Sequence, residues 1–286
     1  MYAVAGVTGN TGSVVAEELL RRGKPVRVIV RSEEKGAAWR AKGAEVAVAS
    51  IDDAEALTQA LAGADGAYLL NPPDLQNEDM RSRGRHLGEV FARAVKGSGV
   101  KHVVLLSSIG AQHDSGTGPI VSVHLIEQAL LATGINLTFL RPTYFIENWG
   151  SVLGVAAKDG ILPSFLELGH AIPMVATADI GKVAAEALEN PPQRVRIIEL
   201  AGPEDYTPEA IAAVLTPLVG KPVTAVPAPL EAVVPTYTQF GISPHVAELF
   251  REMYDGVNRD HVAWDGKGER RRGTTPPSAV FQGMLG

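Results

Sequence analysis

The sequence predicts an α/β fold in which a doubly wound parallel sheet carries a smaller C-terminal α/β lobe. Strand and helix patterns alternate through the first half of the chain, and the connections between them are short. The predicted strand His102–Ser107 is apolar without interruption over Val103–Leu106, which is typical of a parallel strand covered on both faces. Past residue 142 prolines become frequent and loops lengthen, which indicates the start of the lobe.

Each predicted element of the first half has a local signal. Gly23 and Pro25 separate the first helix, which runs to Arg22, from the second strand. The predicted strands are Ala3–Ala5, Val26–Val30, Glu45–Ala49, Gly66–Leu70, His102–Ser107 and Asn136–Leu140. The later helices between these strands are predicted at Asp53–Leu61, Asp79–Lys96 and Ile120–Thr133. Right-handed crossovers between such strands give the order 3-2-1-4-5-6.

The second half of the chain contains fewer regular patterns. A helix is predicted at Asp179–Leu188, and the strand Val195–Leu200 is expected to join the same sheet. Thr207 and Pro208 are typical of the cap and first residue of a helix that runs to Val219. Short helices are predicted at Pro244–Tyr254 and Ala279–Leu285.

These patterns divide the chain into two predicted domains. Residues 1–150 form a Rossmann-type, NADP(H)-binding domain, and residues 177–202 return to its sheet. Residues 151–176 and 203–286 form the smaller, substrate-binding lobe.

Composition excludes several classes of function. The chain has 286 residues, a net charge of −6 and no cysteine, which excludes disulfides, thiolate catalysis and zinc–thiolate sites and argues against a nucleic-acid surface. The seven histidines show no metal-binding spacing. The basic cluster Lys267–Arg272 is expected to be a solvated loop. With no targeting segment or membrane-length apolar run, the expectation is a cytoplasmic, metal-independent protein.

The most informative motif is the glycine-rich turn between the first strand and the first helix. Gly6, Gly9 and Gly12 are spaced three residues apart, with Thr8, Asn10 and Thr11 between them. In this context the glycines allow a tight turn, close approach of a pyrophosphate and close packing of helix on strand. The N–H groups at the helix start would bind the anion. The other interpretation is an ordinary glycine-rich turn.

The residue after the second strand indicates which dinucleotide is bound. NAD sites usually place a carboxylate there, whereas this chain has Arg31, 19 residues after Gly12, with Ser32 and Lys35 nearby. A guanidinium binds the 2′-phosphate of NADPH bidentately, which favours NADPH over NADH. The alternative is that Arg31 is a surface arginine paired with Glu33 or Glu34.

Two further strand ends supply candidate cofactor-binding residues. Asp52 follows the third strand, where its carboxylate would either accept from the adenine amino group or cap the next helix. Asn71 and Pro72 end the fourth strand, where the asparagine would contact ribose or phosphate, or simply form part of a rigid turn.

Several motifs together resemble the NmrA-like atypical short-chain dehydrogenases, in the branch of the quinone and triphenylmethane reductases. They are the glycine turn, Arg31, the segments Val103–Gly110, His124–Ala129 and Ile135–Asn148, and Ala178–Ile180. The resemblance covers roughly residues 2–220 and implies NADPH in a groove between a Rossmann domain and a small lobe. It also implies that Pro142–Asn148 lies near the nicotinamide and the substrate.

The chain departs from ordinary short-chain dehydrogenases in one respect. Their Tyr-x-x-x-Lys pair supplies the catalytic acid or base, but no such motif occurs here, and the two positions fall near Pro119 and Val123. Hydride transfer itself remains possible, since the cofactor carries that chemistry. The departure is equally compatible with a protein that binds NADPH without oxidising it.

Candidate active-site residues follow from their positions. His124, close to the missing pair, is a candidate proton donor or else a packed histidine. Ser107 and Ser108 end the fifth strand, where they would contact cofactor and substrate or bond the backbone. Pro142, Tyr144 and Phe145 are expected to border the nicotinamide, with Tyr144 a second catalytic candidate and core packing the alternative. Candidates for the substrate pocket in the lobe are Tyr237, Phe240 and Trp264.

These residues favour an NADPH-dependent oxidoreductase that transfers hydride to a quinone-like or other planar conjugated molecule. The alternative is a non-catalytic NADP(H) sensor that regulates a partner protein, and an epimerase is disfavoured because it would need the missing tyrosine. The expected partner is a planar, apolar small molecule, with no nucleic acid and no membrane; a homodimer is left open.

Overall fold

The computed structural model describes residues 1–286, which form thirteen strands and eleven α-helices. The strands are β1 (Tyr2–Ala5), β2 (Val26–Val30), β3 (Glu45–Val48), β4 (Gly66–Leu70), β5 (His102–Leu106), β6 (Asn136–Pro142), β7 (Tyr144–Phe145), β8 (Ile161–Ser164), β9 (Ile172–Val175), β10 (Val195–Ala201), β11 (Asp205–Tyr206), β12 (Thr224–Pro227) and β13 (Glu269–Arg272). The helices are α1 (Asn10–Arg21), α2 (Glu33–Ala41), α3 (Ala54–Leu61), α4 (Met80–Ser98), α5 (Val121–Leu131), α6 (Gly150–Asp159), α7 (Thr177–Glu189), α8 (Pro208–Val219), α9 (Val233–Gln239), α10 (Pro244–Asn258) and α11 (Pro277–Leu285).

Eight parallel strands form the central sheet, in the order β13-β10-β6-β5-β4-β1-β2-β3. The predicted order of the first six strands is confirmed, and β10 pairs with β6 as expected. One face of the sheet packs on α3, α4 and α5 through a core that includes Leu57, Phe91 and Ile126. The other face packs on α1 and α7 through Leu19 and Ile180. The fold is therefore a Rossmann-type α/β fold.

The architecture differs from the sequence-based expectations at β13 and at several elements that have no prediction, among them α2, α6 and β7 to β9. Lys267–Arg272 is not simply a solvated loop, because Glu269–Arg272 forms β13 and pairs with β10 at the sheet edge. This strand consists of four charged residues, so it has no apolar alternation that could reveal it. The sequence analysis predicts no helix at α2, because only two of its residues, Gly36 and Trp39, are buried. Since β13 lies within residues 203–286, that range also contributes to the large sheet, and the division into domains remains a proposal.

The C-terminal lobe packs around its own core. Strands β11, β9 and β7 form one small sheet, and β12 and β8 form another. Their apolar side chains pack with those of α6, α8, α10 and α11, and Phe281 is fully buried in this cluster. No helix combines the length and the apolar character that crossing a bilayer requires.

The glycine-rich turn determines how closely α1 approaches β1. Gly6 has a φ of +71°, a left-handed conformation that favours glycine. A Cβ atom on Gly12 would lie 2.5 Å from the carbonyl oxygens of both Ala5 and Gly6. Gly12 is therefore required by close packing of helix on strand.

We predict that Gly12→Ala destabilises the protein by about 3 kcal/mol, because the added methyl group meets main-chain atoms that cannot rotate away. Gly154→Ala is the matched control, since it lies exposed in α6 with no atom within 4 Å of an added Cβ. Replacing a helical glycine there should stabilise the fold by about 0.5–1 kcal/mol. Urea unfolding of both variants measures the difference, and equal stabilities would contradict the packing role of Gly12.

Candidate active site

Three adjoining cavities lie along the edge where the parallel strands end. The polar cavity, of about 400 Å³, lies at the ends of β1 to β4 and is lined by the predicted residues Gly6, Thr8, Arg31, Lys35, Asp52 and Pro72. The middle cavity, of about 230 Å³, shares Pro72 and Pro73 with it. The apolar cavity, of about 350 Å³, shares Ser108 and Ile120 with the middle one. Together they form a cleft that crosses the sheet at its switch point.

Two cations without partners line the polar cavity. The side chains of Arg31 and Lys35 are exposed and make no hydrogen bond or salt bridge within the chain. The competing pairing with Glu33 is not formed, because Glu33 binds Arg40 at 2.7 Å. Ser32 lies beside them at the cap position of α2 without using its side chain as a cap. Arg31 and Lys35 are thus available to an anionic ligand.

Asp52 also lines the polar cavity, and its carboxylate forms a salt bridge with Arg83 of α4. The alternative role for Asp52, capping the next helix, is wrong. Asp53 caps α3 instead, accepting hydrogen bonds from the N–H groups of Glu55 (2.9 Å) and Ala56 (3.1 Å). Arg83 is missed by sequence reasoning because it lies within a long polar face of α4, with nothing in the sequence to place it at the strand ends.

The start of α1 fits an anion such as a pyrophosphate. No side chain caps this helix, so its first N–H groups are free for a ligand. Gly9 and Asn10 are exposed there, and a Cβ on Gly9 would meet only the Gly6 carbonyl oxygen, at 3.4 Å. Packing within the chain therefore does not require glycine at position 9. Close approach of a pyrophosphate to the main chain of the turn would require it.

Thr11, in contrast, does not present its side chain to the cleft. It is buried, and its hydroxyl accepts a hydrogen bond of 2.9 Å from the Tyr68 phenol. Gly12 is buried as well. Thr11 and Gly12, both predicted to bind the cofactor, are therefore buried beneath the turn and contribute to its packing.

The middle cavity is lined by the two residues near which the sequence count placed the Tyr-x-x-x-Lys pair. Pro119 and Val123 both line it, together with Asn71 and Ser108. The Asn71 amide donates to the Ser122 hydroxyl at 2.9 Å, while its buried side-chain oxygen has no partner. Asn71 therefore joins the end of β4 to α5, and its side-chain oxygen has no hydrogen-bond partner within the chain.

The apolar cavity is walled by aromatic and aliphatic side chains. Tyr144 and Phe145 line it as predicted, and so does Trp264, whose ring lies 5.1 Å from the Arg270 guanidinium. Its other apolar walls come from both halves of the chain: Ile109, Ile120, Ile172, Met253, Val257 and Val262. The lobe candidates Tyr237 and Phe240 do not line it, and Phe240 is 78% exposed.

Three other candidates are held away from the cleft. Pro142 is buried in β6 and lines none of the three cavities. Ser107 is buried and donates to the Glu127 carboxylate at 2.6 Å. His124 lines none of these cavities either, and its Nδ1 donates to the Ala111 carbonyl oxygen at 2.8 Å. The geometry gives His124 a packing role in place of the expected catalytic one.

A buried ionic network lies directly behind the apolar cavity. Arg141 and Glu127 are 4% and 1% exposed and form two hydrogen bonds, of 3.0 and 2.6 Å. Arg141 also reaches Asp265 at 3.4 Å, and the Asp265 N–H donates to Glu199 at 2.6 Å. Burial alone would lower the pKa of Arg141, but its hydrogen bonds with Glu127 and the surrounding carboxylates raise it. No group of three or more histidine or carboxylate side chains is arranged to bind a metal.

A parallel sheet with a glycine turn at α1 and a polar cleft across its strand ends defines the class of Rossmann-type dinucleotide-binding proteins. Within that class, the chain belongs to the NmrA-like family, whose model matches residues 2–265. The resemblance seen in the sequence motifs is therefore confirmed.

Two bacterial proteins are among the relatives that this chain is similar to over most of its length. NAD(P)H azoreductase of Xenophilus azovorans is 27% identical over 264 residues, covering 92% of this chain and 89% of that protein. Quinone oxidoreductase 2 of Escherichia coli is 29% identical over 227 residues, covering 78% of this chain and 76% of that protein.

Two solved structures of oxidoreductases share this fold. The crystal structure of the E. coli quinone oxidoreductase complexed with NADPH has a TM-score of 0.85 at 25% identity and covers both chains fully. Triphenylmethane reductase of Citrobacter sp., complexed with NADP(H), has a TM-score of 0.81 at 22% identity and covers 99% of each chain, which supports the fold alone.

We predict that Glu127→Ala destabilises the protein by about 3–5 kcal/mol, because it leaves the Arg141 guanidinium charged and buried without its main partner. The double variant Glu127→Leu/Arg141→Met should recover most of that loss, since it removes both charges and keeps apolar volume. Urea unfolding tests both. A single variant as stable as the wild type would show that the pair does not organise this region.

Proposed function

We propose that this chain is an NADPH-dependent oxidoreductase whose acceptor is a planar, conjugated small molecule such as a quinone. The observation that carries this proposal is the cleft itself, which joins a polar cavity with two unpaired cations to a cavity walled by aromatic rings. The names of the relatives, an NAD(P)H azoreductase and a quinone oxidoreductase, support the same activity.

At the polar end, the residues of this chain are suited to NADPH. The free N–H groups of α1 and the space above Gly9 suit the pyrophosphate. Arg31 and Lys35 would bind the 2′-phosphate by charge-assisted hydrogen bonds, which NADH cannot form. Asp52 would accept from the adenine amino group while Arg83 holds its carboxylate in place.

In the middle of the cleft, Asn71 and Ser108 would orient the cofactor. The unpartnered Asn71 oxygen can accept from a ribose hydroxyl. NADPH, when bound, supplies a hydride to the acceptor. Because the sequence contains no Tyr-x-x-x-Lys motif, this chain would not use that pair to protonate its product.

At the apolar end, Tyr144, Phe145 and Trp264 would hold the acceptor between flat side chains. Their rings exclude water, which favours a flat apolar acceptor over a small polar carbonyl compound. Phe145 and Trp264 thereby contribute to specificity, independently of the proton chemistry.

The test of this function is the oxidation of NADPH by the purified protein against a panel of quinones, azo compounds, triarylmethyl dyes and enones. Oxidation with at least one planar acceptor is expected, followed as the loss of NADPH absorbance. Tight NADPH binding without oxidation by any acceptor would contradict the enzyme and favour the NADP(H) sensor.

We predict that Arg31→Ala weakens NADPH binding by about 10- to 100-fold, the loss expected for a charge-assisted hydrogen bond, and leaves NADH binding nearly unchanged. Gly9→Val should weaken both coenzymes, because its side chain would occupy the pyrophosphate site without clashing with the fold. Calorimetric titration of each variant with both coenzymes measures these effects.

Arg40→Ala is the matched control, since Arg40 is an exposed arginine of α2, the helix that follows Arg31, and is already paired with Glu33. It should bind both coenzymes like the wild type. An equal loss of NADPH and NADH affinity in Arg31→Ala would show that Arg31 does not bind the 2′-phosphate.

A further inference from the structure

One wall of the apolar cavity is formed by β7, a strand of only two residues. Both of them, Tyr144 and Phe145, line the cavity, and they pair in parallel with Met174 and Val175 of β9. The two side chains pack against different cores. Tyr144 packs against the core of the lobe, and Phe145 packs against the core that lies between the sheet, α1 and α7. Because so short a strand forms few main-chain hydrogen bonds, a further contact is needed to fix both rings.

Glu147 supplies that contact from two residues beyond β7. One of its carboxylate oxygens accepts hydrogen bonds from the N–H group and from the hydroxyl of Thr177, at 2.9 and 2.6 Å. Phe145 pairs with Val175, so Glu147 and Thr177 continue the same register two residues further on. Hydrogen bonds to a carboxylate are stronger than those between neutral groups. The side chain therefore extends the pairing of β7 with β9 beyond the point where the main chain leaves the strand.

The same contact caps helix α7, which begins at Thr177. The residue before the helix is Ala176, whose side chain cannot cap it, and Glu147 takes that place from a distance of 30 residues in the chain. A carboxylate is favoured at a helix N-terminus. Helix α7 also packs closely on α1, because a Cβ atom on Gly181 would lie 3.0 Å from the Thr11 carbonyl oxygen. The start of α7 thus joins the acceptor wall to the helix whose first N–H groups are free for a ligand.

We propose that Glu147 is a positioning residue for binding of the acceptor. By joining β7 to the start of α7, its carboxylate fixes the rings of Tyr144 and Phe145 relative to α1, and so sets the position of the acceptor relative to the coenzyme. Glu147 lines none of the three cavities, so it acts through β7. The nature of the acceptor rests on the proposed function, whereas the contacts of Glu147 do not.

We predict that Glu147→Ala weakens binding of naphthoquinone to the protein loaded with NADP+ by about tenfold, the effect of losing a charge-assisted hydrogen bond that holds the wall. The affinity for NADP+ itself should stay within about twofold, because the packing of α7 on α1 does not depend on Glu147. Calorimetric titration with NADP+, followed by titration with naphthoquinone, measures both. No turnover occurs with the oxidised coenzyme.

Two further variants separate positioning from a general loss of stability. Glu147→Gln should bind naphthoquinone within about threefold of the wild type, because its amide oxygen can still accept both hydrogen bonds from Thr177. Thr207→Ala is the matched control for a lost cap, since Thr207 caps α8 by accepting from the Ala210 N–H at 3.1 Å and lines none of the three cavities. It should lower the stability of the protein and leave naphthoquinone binding unchanged.

A second measurement needs neither a coenzyme nor an acceptor. Amide hydrogen exchange in residues 143–149 reports how firmly β7 is held. Glu147→Ala should speed this exchange by about tenfold, for the same loss of a hydrogen bond, whereas Glu147→Gln and Thr207→Ala should leave it close to that of the wild type.

Unchanged exchange of residues 143–149 in Glu147→Ala would overturn the positioning role. So would an equal loss of naphthoquinone affinity in Glu147→Ala and Thr207→Ala, because the effect would then be one of stability alone. An equal loss of NADP+ and naphthoquinone affinity in Glu147→Ala would also contradict it. If exchange rises in Glu147→Ala alone but the wild type binds and reduces no planar acceptor, the placement of β7 by Glu147 stands and the proposed function fails.

Discussion

The arrangement of the cleft depends on the buried pair between Arg141 and Glu127. Arg141 lies near the end of β6, Glu127 lies in α5, and Ser107 at the end of β5 donates to the same carboxylate. Through Asp265, the pair also reaches the segment that carries Trp264. An ion pair inside a protein contributes little net stability after desolvation, but it tolerates few alternative geometries. The pair therefore fixes the relative positions of two strand ends, helix α5 and the C-terminal segment.

Because these elements are fixed in position, the polar end and the apolar end of the cleft are separate surfaces. At the polar end Arg31 and Lys35 are unpaired cations, and their acidic neighbour Glu33 is bound by Arg40 instead. At the other end mainly rings and aliphatic side chains face the cavity. Under the proposed function, a charged cofactor and a flat acceptor would meet over Asn71 and Ser108 without competing for one surface.

The sequence predicts well those parts of the fold that depend on local pattern. Buried parallel strands, capped helices and the glycine turn follow from apolar periodicity and backbone geometry within a few residues. Helix α2 and strand β13 do not follow, because neighbours in space stabilise them more than their own composition does. Likewise, Arg31 is identified by its place after a strand, whereas the inward direction of His124, Ser107 and Thr11 depends on partners distant in the chain. The sequence offers Tyr237, Phe240 and Trp264 together as pocket candidates, and only the fold shows that Trp264 alone of the three lines the apolar cavity.

Strand β13 has a further consequence for the behaviour of the whole molecule. It is an outermost strand of the sheet, where exposed main-chain groups invite another chain to add. Its three arginines are each engaged: Arg270 over Trp264, Arg271 with Glu186 and Arg272 with Asp205. A second molecule approaching this border would have to displace those contacts and bring like charges together. Arg270 and Arg272, which contact the apolar-cavity residues Trp264 and Asp205, thus also protect the sheet edge against edge-to-edge aggregation.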